Sequence, residues 1–199
     1  MSIVIETRRL DAISHQAPDM RKRFATLLLL AAIAAAAEVV VDADGTSAAP
    51  PWLGGFTEDA MDKITSVRDQ IKSLSFLKEL VDGTLPEEKF AFYLVQDAHY
   101  LRQYSKVLAM LAARAPQPNI TQTMSRAADM ALFVEGALHE GFLSNLSPSL
   151  QGIRETPPSP TCSAYTDMLT SRAHAAPYEV AFAAALPCYT LYCEVTDYH

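Results

Sequence analysis

The stretch FAFYLVQDAHYLRQYSKVLAMLAAR, Phe90 to Arg114, decides how the rest of the chain must fold. Its residues Phe90, Leu94, Leu101, Tyr104, Leu108 and Leu111 follow steps of three and four, which places them in one stripe along a helix. The position that completes the stripe between Leu94 and Leu101 is Asp97. A carboxylate on a buried face needs partners or a shifted pKa, because an isolated buried charge is costly. Tyr100 lies three residues on and Tyr104 seven, so both phenols project near that carboxylate. An acid lodged in an apolar seam beside hydroxyls is a candidate site. The competing reading is a structural Asp bonded to a neighbouring helix.

The 199 residues suit one domain with a sizeable core, and the abundance of alanine and leucine without long β-branched alternation predicts mostly helix. A formal net charge of −7, with lysine and arginine scattered, argues against nucleic acid as the main partner and, more weakly, against an anionic membrane surface. The three cysteines, Cys162, Cys188 and Cys193, lie late in the chain without metal-ligand spacing. A disulfide framework or zinc knuckle is therefore not expected, and at least one thiol is free.

Residues 1–55 read as an extension and residues 56–199 as the folded domain. Within the extension, MRKRFATLLLLAAIAAAAE from Met20 combines three basic residues, an apolar run from Phe24 to Ala37 and small residues at its end. That is the layout of a secretory signal peptide starting at Met20, with cleavage near Ala35 to Ala37; a soluble alanine-rich helix is the alternative. The run is short for a transmembrane helix, so no stable membrane partner is expected. Residues 39–55, with Gly45, Pro50, Pro51, Gly54 and Gly55, read as a linker.

In the domain, Thr57 suits the N-cap of a first helix or pair of helices carrying Met61, Ile64, Val67, Ile71 and Leu74 and ending at Gly83. Thr84 and Glu87 are spaced as a capping box before the seam helix, which stops before Pro116. Thr121 or Thr123 is expected to cap the next helix, running to about Leu146. On it Glu135 and His139 are four apart, and with Asp97 they offer a metal-site alternative, though the paired Glu-x-x-His pattern is missing. A surface loop over 147–159 leads to a helix started by Ser159 or Thr161, with Pro160 in its first turn and bearing Cys162, Tyr165 and Leu169. After a break at Pro177, a last helix to Asp197 aligns Tyr178, Phe182, Ala185, Tyr189 and Tyr192, and Pro187 in its interior predicts a kink just before Cys188. By itself Cys188 reads first as a small buried hydrophobe, as most free cysteines do, with a nucleophile as the lesser alternative.

Three stretches in series, DGTLPEEKFAFYLVQDAHYL (Asp82 to Leu101), SPTCSAYT (Ser159 to Thr166) and ALPCYTLYCEV (Ala185 to Val195), resemble the TenA or thiaminase II family, and the likeness runs from about Phe56 to the last residue. The resemblance implies an all-α, heme-oxygenase-like bundle that binds no heme, needs no cofactor and assembles as a homotetramer in the cytoplasm. Export through the Met20 segment remains the alternative localisation. It also implies a hydrolase of thiamine salvage, converting 4-amino-5-aminomethyl-2-methylpyrimidine to its hydroxymethyl form and able to cleave thiamine. By motif, Asp97 matches the carboxylate that holds the pyrimidine, Tyr100 a ring-contacting tyrosine, Tyr165 and Tyr192 further pocket tyrosines, and Cys188 the nucleophile. Covalent catalysis of this kind splits one difficult displacement into two easier steps.

The family pattern continues past the cysteine helix to a further pocket tyrosine and a general acid-base glutamate, whereas this sequence ends at His199. Glu194, six residues from Cys188, lies well round the helix from it. The expectation is therefore a C-terminally truncated aminohydrolase, with a catalytically degenerate pyrimidine-binding or interaction protein as the alternative.

Overall fold

The computed structural model describes the backbone of residues 54–143 and 146–191 and, within them, the side chains of residues 59–133, 143 and 146–191. The apolar run from Phe24, most of the linker, the side chains of Glu135 and His139, and Tyr192, Cys193 and Glu194 lie outside the described residues. Among the described residues every regular element is helical: α1 (Gly54–Lys63), α2 (Thr65–Lys72), α3 (Ser75–Val81), α4 (Glu87–Arg114), α5 (Pro118–Leu143), a 3-10 helix (Pro148–Glu155), α6 (Pro160–Ala175) and α7 (Tyr178–Ala185). None of these helices is long and apolar enough to cross a membrane.

Where the first helix or pair was expected, three short helices stand. Ile64, Val67 and Leu74 are exposed and α2 buries no side chain, so packing does little to hold a continuous rod. Ser73 turns its hydroxyl onto the Gln70 carbonyl at 2.8 Å, and Leu74 adopts an extended backbone, which ends α2 and redirects α3. The break brings Leu80 and Phe76 onto the core. Gly83 then ends α3 at φ 71°, the left-handed conformation predicted for it.

Three predicted caps are corrected. Helix α1 already begins at Gly54, so Thr57 falls inside it; at the other two a proline sets where the helix begins. Pro86 stands at the N-cap of α4, making Glu87 the first helical residue, where it cannot complete a box with Thr84. The Glu87 carboxylate accepts instead from the backbone N–H and hydroxyl of Ser147, at 3.0 and 2.6 Å. Helix α5 starts at Pro118, so Thr121 and Thr123 fall inside it and donate back to the carbonyls of Gln117 and Asn119. The expected cap of α6 is present: Ser159 accepts from the Cys162 N–H at 3.2 Å, with Pro160 next. The segment expected to be plain loop contains the 3-10 helix.

Helix α4 is central, meeting α5 most extensively and also α6, α7 and the 3-10 helix. Of its expected stripe, Phe90, Leu94, Tyr104, Leu108 and Leu111 are buried and Leu101 is half-buried, while Ala91, Val95, Ala98, Val107 and Ala112 widen the buried face. It serves two separate cores. Phe90, Ala91, Leu94 and Val95 join Leu80, Leu85, Leu143 and Leu146; Tyr104, Val107, Leu108, Leu111 and Ala112 join Met124, Leu169, Ala173, Ala181 and Ala185.

Leu111 is 0% exposed and Phe92 44%. In urea unfolding, Leu111→Ala is expected to cost about 2–5 kcal/mol, whereas Phe92→Ser stays within about 0.5 kcal/mol of the parent.

Candidate active site

Between the two cores α4 carries Gln96, Asp97, His99 and Tyr100, and their helical spacing sorts them onto two faces. Gln96 and His99 turn to the segment before α6. The Gln96 amide donates to the Pro157 carbonyl at 3.1 Å and accepts from the Ser159 N–H at 2.7 Å, and His99 Nε2 donates to the Thr156 carbonyl at 2.9 Å. The Cys162 thiol adds a long bond to the Gln96 carbonyl, at 3.6 Å. Four contacts thus pin the start of α6 to the middle of α4, which fixes how Tyr165 approaches Tyr100.

On the other face the phenols form a column. The Tyr100 and Tyr104 rings stack at 5.2 Å and 18°, and Tyr100 also stacks with Tyr165 at 5.7 Å and 5°. Tyr104 meets the Tyr189 ring at 6.1 Å, tilted by 50°. Cys188 and Tyr189 pack on the same cluster from beyond α7, where regular hydrogen bonding lapses at Leu186 and helix resumes over 187–191. The lapse falls at the residue before Pro187, the place where the sequence predicts a kink.

Asp97 Oδ2 and the Tyr100 hydroxyl are both buried from solvent. Burial raises the Cys188 thiol to about 11; the Asp97 carboxylate adds to the rise, and the hydroxyls of Tyr100 and Tyr104 act against it. The Tyr100 hydroxyl is close enough to favour the thiolate, yet it makes no hydrogen bond of full geometry among the described residues. Burial also holds the Tyr100 and Tyr104 phenols well above the ordinary tyrosine range and pushes Tyr189 up to about 12. Cys162 is raised by burial and then by the Asp97 charge.

The structure therefore brings together Asp97, Tyr100, Tyr165 and Cys188, while Tyr192 lies outside the described residues. Tyr104 and Tyr189 belong to the same group; Tyr104 was expected near Asp97 but matched no family site residue, and Tyr189 was read from sequence only as a member of an apolar face. Their signal was position: Tyr104 is one turn past Tyr100, and Tyr189 adjoins Cys188. Gln96 and His99 gave no signal, because their partners are backbone groups roughly sixty residues away. Among the described residues no group of three or more His, Cys, Asp or Glu could hold a metal ion, and the Glu135 and His139 side chains are outside that set.

Among the described residues an all-helical bundle thus gathers a carboxylate, a thiol and a column of phenols, the residue types to which the motifs pointed. The chain belongs to the TENA/THI-4/PQQC family, whose model matches residues 62–199. It is 40% identical over 162 residues to the thiamine biosynthesis multifunctional protein ThiED of Corynebacterium efficiens, covering 79% of this chain and 21% of that protein. It is 36% identical over 122 residues to the aminopyrimidine aminohydrolase of Bacillus subtilis, covering 61% of this chain and 52% of the relative. The solved TenA homologue protein from P. horikoshii OT3 superposes with a TM-score of 0.64 at 29% identity, covering 72% of this chain and 67% of that one. The chain thus spans about a fifth of the corynebacterial protein and about half of the Bacillus one.

Alkylation of Cys188 by iodoacetamide, followed on its own peptide, is expected to rise with pH through about 11, against about 8.5 for an ordinary exposed thiol. Asp97→Asn removes a negative charge that opposes the thiolate, so it should speed that alkylation at pH 8.

Proposed function

We propose that this chain acts in thiamine salvage by hydrolysing an aminopyrimidine, 4-amino-5-aminomethyl-2-methylpyrimidine, with Cys188 as nucleophile. The observation that carries the reading is the enclosure of the Cys188 thiol by Asp97 and the phenols of Tyr100, Tyr104, Tyr165 and Tyr189. The aminohydrolase name of the Bacillus subtilis relative supports it.

Asp97 supplies two acceptor oxygens, which suit an exocyclic amino group and an adjacent protonated ring nitrogen and so fix the heterocycle's orientation. The phenols supply flat faces. A ring held between two others needs about 7 Å, two contacts of about 3.5 Å each, whereas Tyr100 and Tyr165 stand 5.7 Å apart. Binding therefore adds the pyrimidine to an outer face of the column or parts that pair. The Cys188 sulfur then adds to the ring, the electron pair expels the amine from the exocyclic methylene, and the thiol proton leaves with it as ammonia. Water adds to the methylene, and departure of the sulfur restores the ring and the thiol. The net change is substrate plus water to hydroxymethyl pyrimidine plus ammonia.

A second reading, pyrimidine binding without turnover, is favoured by one observation: the surroundings of Cys188 hold its thiol up at about 11, which disfavours the nucleophilic form. Ammonia release from the aminomethyl pyrimidine separates the two. The first reading expects release well above a Cys188→Ser control, and Asp97→Asn is expected to weaken binding about 10- to 100-fold through loss of a charge-assisted hydrogen bond. Binding without release leaves the second reading, and failure to bind the pyrimidine overturns both.

A further inference from the structure

The interruption before Cys188 has a specific backbone consequence. In an unbroken helix the Ala185 carbonyl would accept from the N–H of Tyr189, four residues on. Pro187 has no N–H, and the Tyr189 N–H bonds the Leu186 carbonyl instead, at 3.0 Å, as does that of Thr190 at 3.2 Å. The Ala185 carbonyl is thereby released on a residue only 3% exposed, and a buried carbonyl left unpaired is costly. The Tyr104 hydroxyl meets it, donating at 2.8 Å from a side chain 1% exposed.

We propose that Tyr104 is a positioning residue: by donating to the carbonyl that the Pro187 break releases, it holds the break in one geometry and thereby sets where Cys188 sits. Ala185 and Cys188 are three residues apart across the break, so the backbone cannot shift at one without moving the other. Two tyrosines one turn apart on α4 thus divide their work. The Tyr104 hydroxyl donates to the backbone and also favours the Cys188 thiolate, whereas the Tyr100 hydroxyl is buried without a hydrogen bond among the described residues. Tyr104 also has its ring held between Tyr100 and Tyr189, which leaves the hydroxyl little freedom to turn elsewhere. The inference deepens the proposed function, resting on Cys188 as the reactive group, but the placement of the thiol can be read without substrate.

The test is a double-mutant cycle of Tyr104→Phe and Pro187→Ala, read by the rate of iodoacetamide alkylation at the Cys188 peptide and, separately, by kcat and KM for ammonia release. Tyr104→Phe keeps the ring and removes only the donor. It is expected to loosen the break and speed alkylation of Cys188 by about threefold or more, with kcat falling more than KM changes. In the Pro187→Ala background the Tyr189 N–H can return to the Ala185 carbonyl, so adding Tyr104→Phe should only slow alkylation, through the loss of a hydroxyl that favours the thiolate. Equal slowing in both backgrounds would mean that Tyr104 acts on the thiol only through its hydroxyl dipole and would overturn the proposal. Equal acceleration in both backgrounds, or no change in either, overturns it too. A positive alkylation cycle without ammonia release upholds the positioning role and removes the hydrolase reading; release with a flat cycle does the reverse.

Discussion

Helix α4 has to satisfy two apolar clusters at once, and the short interval between them is where the chain can place polar chemistry. Its N-terminal half is gripped by Leu80, Leu85, Leu143 and Leu146, its C-terminal half by Met124, Leu169, Ala173, Ala181 and Ala185. Burial at both ends fixes the rotation of the helix about its own axis, because turning it would expose Leu94 and Leu111 together. Everything in the interval inherits that rotation. Gln96 and His99, three apart, face the segment entering α6; Asp97, Tyr100 and Tyr104, stepping by three and four, face Cys188. One helix therefore supplies both one side of the phenol column and the tether that brings Tyr165 against it.

The tether explains why a proline-rich segment can be a precise one. Residues 156–159 have few backbone donors to offer, since Pro157 and Pro158 have none, and the carbonyls of Thr156 and Pro157 would lose partners on packing against α4. Side chains of α4 take those carbonyls, and the Ser159 N–H returns a bond to Gln96 before its own hydroxyl caps α6. A chain that cannot pair with itself is paired by the helix it crosses. The same logic recurs at Pro187, where a missing N–H and a diverted one release a carbonyl and a phenol from α4 receives it.

Much of this was legible in the sequence, and the misses share a cause. The helical stripe of α4, the left-handed Gly83, the Ser159 cap and the helix break beside Pro187 follow from local spacing and from residues whose backbone preferences are strong. Asp97 stood out because a carboxylate interrupted an apolar pattern. The predicted caps at Thr84 and at Thr121 or Thr123 went astray because Pro86 and Pro118 fix the helix start, and a shift of a few residues turns a cap into an interior threonine. Tyr104 was legible as core but not as a donor. Its acceptor lies 81 residues away and exists only because a different helix is broken there, so no spacing around Tyr104 can announce it.

The surroundings of Cys188 also set a limit on what this frame does to a thiol. A buried lysine or arginine beside the sulfur would favour the thiolate strongly, but it would carry its own desolvation penalty. Phenols avoid that penalty: Tyr100, Tyr104 and Tyr189 are all raised by burial and stay neutral near pH 7, offering hydroxyl dipoles rather than charge. Dipoles are the weaker lever. Burial and the Asp97 carboxylate outweigh them, which is why the thiol stands at about 11 and not below its ordinary value. In the proposed reaction the carboxylate that would hold the pyrimidine's amino edge is the same group that opposes the thiolate, so a ligand paired with Asp97 relieves one of the two influences that keep the sulfur protonated. In the proposed reaction, orientation of the ring and activation of Cys188 are thereby coupled through a single side chain, the one that interrupts the stripe of α4.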